Sequence, residues 1–87
     1  MEEFNSRKDT QAHSNFVKWI QANPEGYVIN YKGRDSMLHR ATCSQFLPYE
    51  GVDQANNPKL CSLDKRQLEV WAEKQENSAL VPCQRCM

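Results

Sequence analysis

Five side chains in this 87-residue chain have the types and spacing to hold a metal ion: His39, Cys43, Cys61, Cys83 and Cys86. The cysteines are separated by 17, 21 and 2 residues. In Cys83-Gln84-Arg85-Cys86 the short interval lets both sulfurs face one point about 2.3 Å away, the zinc–thiolate distance. The same spacing occurs in redox motifs, but that chemistry needs a helix after the first thiol to lower its pKa, and only Met87 follows Cys86. His39-x-x-x-Cys43 offers a second pair, able to converge where a strand runs into a helical turn. A tetrahedron takes four of these five residues, so either Cys61 or His39 is left over. A leftover Cys61 is an inert, partly buried thiol; a leftover His39 hydrogen-bonds a ligand sulfur or faces solvent beside the site. The reading favours His39, which shares a turn with Cys43. Cys61 is instead separated from the Cys83 pair by a helix of about 13 residues, roughly 20 Å long.

Composition explains why a metal is needed. Leu, Ile, Val and Phe together make up only about 18% of the chain, close to the level below which charged chains stay disordered. Here the eleven basic and eleven acidic residues cancel, so a single small folded domain is expected, near the lower size limit for one core. Apolar runs are far shorter than the roughly 20 residues of a membrane span, and residues 1–9 lack the apolar core of a secretory signal. The expected setting is the cytoplasm, where thiols stay reduced and a cysteine-rich small domain binds zinc. In an exported protein the four cysteines would instead make two disulfides, with three possible pairings. No serine triad, phosphate loop or carboxylate pair can be assembled, and a closed ligand set leaves no open position for metal hydrolysis. The chain is therefore not expected to be an enzyme.

Several elements must position these ligands. Residues 1–9 read as a flexible polar arm, and residues 10–87 as one zinc-binding domain. Phe16, Val17, Trp19 and Ile20 give a short amphipathic helix from about Thr10, capped by Asp9 or Thr10, to Ala22. Asn23-Pro24 ends it. Tyr27–Tyr31 reads as a strand and Met37–His39 as its return across the turn Lys32–Ser36. Ala41–Phe46 suits one helical turn, Pro48–Pro58 a loop, and Lys59–Cys61 a short third strand. Ser62 is the expected N-cap of a second helix running to about Gln75. Asn77-Ser78 breaks it before Ala79–Val81 returns in extended form. The expected fold is α+β: a small zinc-stabilised domain with a short antiparallel sheet built on residues 26–39. Its expected core is Trp19, Ile20, Val28, Leu38, Leu68 and Trp71.

The run Tyr27-Val28-Ile29, His39-Arg40-Ala41-Thr42-Cys43, a helix and Pro82-Cys83-Gln84-Arg85-Cys86 resembles the metal-binding domain of Ada-type DNA repair proteins. It is more closely similar to uncharacterised bacterial domains reading Leu-His-Arg-Ala-x-Cys … Val-Cys … Leu-x-x-Trp-Ala … Pro-Cys-x-x-Cys. Their counterparts here are Leu38 to Cys43, Leu60-Cys61, Leu68 with Trp71-Ala72, and Pro82 to Cys86. The likeness spans roughly residues 26–86, and the Ada-type resemblance implies His39, Cys43, Cys83 and Cys86 as zinc ligands. His39 stands where the repair proteins carry the cysteine that accepts a methyl group from a DNA phosphotriester. An imidazole cannot take the methyl group in that way, and Cys61 is an addition to the repair-protein pattern.

Zero net charge argues against strong nonspecific nucleic-acid binding, and a Zn²⁺ site of three thiolates and one imidazole carries a single net negative charge. Basic residues nevertheless cluster locally, with Lys32, Arg34 and Arg40 in one stretch and Lys59, Lys65 and Arg66 in another. Lys65 and Arg66 stand in the first turn of the second helix, against the macrodipole preference. Arg34, Arg40, Lys65, Arg66 and Arg85 are the candidate contacts to an anion or nucleic acid, with Tyr27, Tyr31 or Tyr49 as stacking surfaces. The function expected is a noncatalytic zinc module that recognises DNA, RNA or another protein. The alternative is a metal–thiolate chemical module, an alkyl acceptor or a redox sensor.

Overall fold

Val28 and Ile29 are both 0% exposed. Neighbouring residues of a strand point to opposite faces, so the strand that holds them needs cover on both sides. A computed structural model describes residues 1–33, 35–47, 53–75 and 79–87. Within them, β1 (Glu2–Phe4), β2 (Tyr27–Tyr31), β3 (Asp35–Arg40), β4 (Lys59–Ser62) and β5 (Ala79–Pro82) form one sheet in the order β1-β4-β2-β3-β5. Helices α1 (Ala12–Ala22) and α2 (Lys65–Glu73) pack on opposite faces of it. The class is α+β, as the sequence implies.

On one face, Phe16 and Ile20 of α1 bury Val28, Cys61, Phe46 and the cysteines of the C-terminal turn. Phe16 meets Phe46 edge-on, with ring centroids 5.2 Å apart. On the other face, Leu68 and Ala72 of α2 pack on Ile29, Leu38 and Leu60. The single expected core is thus two. Ile20 and Val28 belong to the first, Leu38 and Leu68 to the second, and Trp19 and Trp71 lie half-buried at their margins. Trp71 stands edge-on to Tyr31 with ring centroids 5.3 Å apart.

The sheet is larger than expected and mixed. β1 arises from the segment expected to be a free arm: Glu2, Glu3 and Phe4 pair antiparallel with Cys61, Leu60 and Lys59. Ser6 ties the following residues down, its N–H donating to the Ala55 carbonyl (2.9 Å) and its hydroxyl to Asp53 (2.7 Å). β2 and β3 form the expected hairpin, with Val28 opposite His39, and Gly33 takes φ +91° at its turn. β3 starts at Asp35, so the turn is shorter than Lys32–Ser36. β4 pairs with the other edge of β2. The chain then crosses through α2 to the far edge, where β5 runs parallel to β3.

Ser62 is the last residue of β4 rather than the N-cap of α2. Asp64 takes that role, its carboxylate accepting the Arg66 N–H. The Ser62 hydroxyl accepts the Asp64 N–H (3.0 Å) and donates to Gln67 (2.7 Å), shaping the turn into the helix. At α1 the cap is Gln11, without a side-chain capping bond, although Asp9 accepts the Gln11 N–H just before it. Arg34, Tyr49, the start of the Pro48–Pro58 loop and the Asn77-Ser78 break lie outside the described residues. The loop's end is anchored by Lys59, whose ammonium is buried and donates to Asn30, Asn57 and the Gln54 carbonyl. The Gln54 N–H in turn donates to His13 Nδ1 (3.0 Å).

Candidate metal centre

His39 is the next-to-last residue of β3, and alternation turns its ring to the α1 face with Val28 and Cys61. Beyond it the chain folds back: the Ala41 N–H donates to the Gly26 carbonyl (2.9 Å) and the Cys43 N–H to the Arg40 carbonyl (3.0 Å). Cys43 thereby enters a short 3-10 turn, Ser44–Phe46. On the neighbouring strand, the Cys83 N–H donates to the Leu38 carbonyl (2.8 Å) and extends the parallel pairing one residue past β5. The Met87 N–H then closes a turn on the Cys83 carbonyl (2.9 Å) and brings Cys86 round. Arg40 fastens that turn to β3, its N–H donating to Cys86 Sγ (3.3 Å) and its Nε to the Cys86 carbonyl (2.8 Å).

The result gathers His39, Cys43, Cys83 and Cys86, with all four ligand atoms within 4.8 Å of one another. The sulfurs of Cys43 and Cys83 are 3.8 Å apart and all four cysteines are free of disulfides. A tetrahedron of 2.3 Å zinc–sulfur bonds has edges of about 3.8 Å, so this spacing suits one shared metal ion. It is too long for an S–S bond of about 2.05 Å.

Cys61 does not join them. It lies across β2 from His39, with both residues opposite Val28, so two strand spacings of about 4.8 Å separate them. Its side chain is wholly enclosed in the α1-side core, and burial raises the thiol pKa strongly against the opposing pull of Lys59. The sequence could place Cys61 only by its distance from the knuckle; register supplies the reason it is left out.

The electrostatics prepare the donors unequally. Burial, helped by the cations of Lys59 and Lys32, lowers His39 to about 4. Its imidazole is therefore neutral at pH 7, the form that binds a metal. Its Nδ1 is the one buried side-chain nitrogen or oxygen among the described residues without a hydrogen-bond partner. Leaving such a group unmatched costs about 1–3 kcal/mol, which a metal–ligand bond would offset. Phe46 holds the ring at 5.0 Å between centroids. Burial raises the Cys43 thiol to about 12, with the neighbouring Cys86 and Cys83 thiols adding to the rise. For Cys83 burial acts upward too, but the Arg85 backbone N–H and the Cys43 and Cys86 thiols outweigh it and lower the pKa.

The register also gathers most of the proposed anion contacts at one end of the sheet. Tyr27 lies between Arg40 on β3 and Ser62 on β4, three residues before α2 begins. Arg40, Lys65, Arg66 and Arg85 are all exposed there, and the carboxylate ion pair found among the described residues, Lys8–Glu3, involves none of them. Glu2, Glu25 and Asp64 share that end, so its charge is balanced rather than strongly basic. Sequence reasoning missed Phe46, Lys59 and the anchoring role of Arg40. The adjacency of Arg40 to His39 was the one available signal.

No helix among the described residues is long and apolar enough to cross a membrane. Comparison with protein-family models, curated proteins and solved structures finds no match for this chain.

Proposed function

We propose that this chain is a noncatalytic structural-zinc module of the cytoplasm that recognises nucleic acid or protein. The observation that carries this reading is the convergence of His39, Cys43, Cys83 and Cys86 within 4.8 Å. Three thiolates and an imidazole match the donor set of a closed zinc tetrahedron, and hard cations such as Mg²⁺ or Ca²⁺ prefer oxygen. Zinc would join the end of β3 to the turn after β5, fixing the edge strand that follows the long crossover through α2. With His39, Cys43 and Cys83 buried, an ion held there has little room for a reacting water, which supports a structural role. Reduced thiols of this kind suit a cytoplasmic setting.

Arg40 and Arg85, set around the knuckle, with Lys65 and Arg66 beside them, are the surface assigned to recognition. Metal analysis of purified protein should find one zinc per chain. Chelation should then collapse the dispersed NMR spectrum, because metal-binding free energy in small zinc domains is folding free energy. A native spectrum that survives chelation would remove the structural role. Fluorescence anisotropy with short DNA and RNA decides the partner class. Binding that weakens steeply between 50 and 200 mM salt assigns nucleic acid. No binding at either salt concentration removes nucleic acid as the partner.

A further inference from the structure

The four ligands differ in accessibility. His39, Cys43 and Cys83 are 1–2% exposed, while Cys86 is only partly buried. Cys83 borders a groove of about 310 Å³ with Met37, Val81, Pro82 and Arg85, but its near-complete burial keeps its sulfur from the opening. Cys86 is therefore the residue of the four that a small solute approaching the cluster meets first. Arg40 donates its N–H to the Cys86 sulfur and its Nε to the Cys86 carbonyl. Cys83 lies three residues back in the same closed turn, within 4.8 Å sulfur to sulfur.

Resting on the zinc reading above, we propose that Cys86 is a modification site for hydroperoxides, with Cys83 as its resolving partner. In the first step the Cys86 thiolate attacks a peroxide oxygen; an S–O bond forms, the O–O bond breaks, and hydroxide leaves. The sulfur loses two electrons and the peroxide gains them. In the second step the Cys83 thiolate attacks the Cys86 sulfur; the S–S bond forms, the S–O bond breaks, and a second hydroxide leaves. In sum, two thiolates and one hydrogen peroxide give one disulfide and two hydroxides. Zn²⁺, unchanged in oxidation state, keeps only His39 and Cys43 and is released. The end of β5 then loses its tie to β3, so the oxidant is converted into loosening of that sheet edge. Cys61, enclosed in the α1-side core, stays a thiol throughout.

The test uses the zinc-loaded 87-residue chain and hydrogen peroxide at up to two equivalents. Released zinc is followed with a chromophoric chelator, and the cysteines are mapped by non-reducing peptide mass spectrometry. The expected result is one zinc released per Cys83–Cys86 disulfide, with Cys43 and Cys61 still reduced and zinc uptake restored by dithiothreitol. Cys61→Ser should release zinc within twofold of the wild-type rate. First oxidation at Cys43, Cys83 or Cys61, a disulfide that includes Cys43, or retention of zinc after peroxide would overturn this proposal and leave the zinc reading standing. Failure to take up zinc before any peroxide is added would overturn both.

Discussion

Substitution of the five candidate ligands one at a time separates affinity from stability. Structural zinc in a small domain contributes about 10–16 kcal/mol at pH 7, so each of four ligands carries roughly 3 kcal/mol. Removing one should weaken zinc binding roughly 100-fold. His39→Ala, Cys43→Ser, Cys83→Ser and Cys86→Ser should all fall in this class, because their ligand atoms meet within 4.8 Å. Cys61→Ser should act differently. It places a hydroxyl at a site that is 0% exposed, at a stability cost of about 1–3 kcal/mol if the hydroxyl finds no partner. Zinc affinity should stay within a few-fold of wild type. Cys61→Ala, which buries no hydroxyl, should recover part of the lost stability at the same affinity. Competition against a chromophoric chelator measures affinity, and urea unfolding of the zinc-loaded protein measures stability. A 100-fold loss in Cys61→Ser, with His39→Ala unaffected, would refute the register argument that separates Cys61 from the cluster.

Three further outcomes follow from the packing. A Cβ at Gly26 would lie 2.6 Å from Trp19 Cη2, so Gly26→Ala should cost about 1–3 kcal/mol of overpacking and lower the melting temperature by roughly 4–8 °C per kcal/mol; an unchanged melting temperature would contradict the Trp19 placement. Leu68→Ala opens the α2-side core and should cost about 2–5 kcal/mol with zinc stoichiometry unchanged, since the ligands face α1; loss of zinc from the folded variant would contradict the two-faced sheet. Burial lowers the Lys59 amine from 10.5 to about 8, so the unfolded chain binds more protons than the folded one between pH 8 and 9. Stability from this group should therefore rise with pH across that window, by at most about 1.4 kcal/mol per unit. Urea unfolding of wild type should show this rise relative to Lys59→Met, and a relative fall would reverse the assigned sign.

The clustering of His39, Cys43, Cys83 and Cys86 was legible because the four fall into two local pairs. Cys83 and Cys86 are fixed by a turn, and His39 and Cys43 by the passage from strand to turn, so spacing carried the geometry. The exclusion of Cys61 needed register: that His39 and Cys61 flank Val28 depends on β4 choosing the edge of β2, which no local pattern states. β1 was illegible for a related reason. Glu2 and Glu3 are exposed and carry no strand signal; the segment is extended because β4 offers an edge and Phe4 packs 6.1 Å from Phe16, centroid to centroid. Ser62 and Asp64 are both good capping residues, and only the strand's extension to Ser62 assigns the cap to Asp64. The paired cores were written in Val28-Ile29, where two adjacent buried residues of a strand demand cover on both faces. The expected core instead placed residues of both faces, Val28 and Leu38 among them, in a single cluster. Lys59 left no sequence signal, since a buried lysine is tolerated only through acceptors brought from Asn30, Gln54 and Asn57.

Zinc K-edge X-ray absorption on the purified, metal-loaded protein tests the central claim most directly, because it counts the donors around the ion. The account predicts one zinc per chain with three sulfurs at about 2.3 Å and one imidazole nitrogen at about 2.0 Å. A shell of four sulfurs without the imidazole signature would place Cys61 in the site and contradict the assignment of His39. A shell of oxygen donors would contradict the metal centre itself.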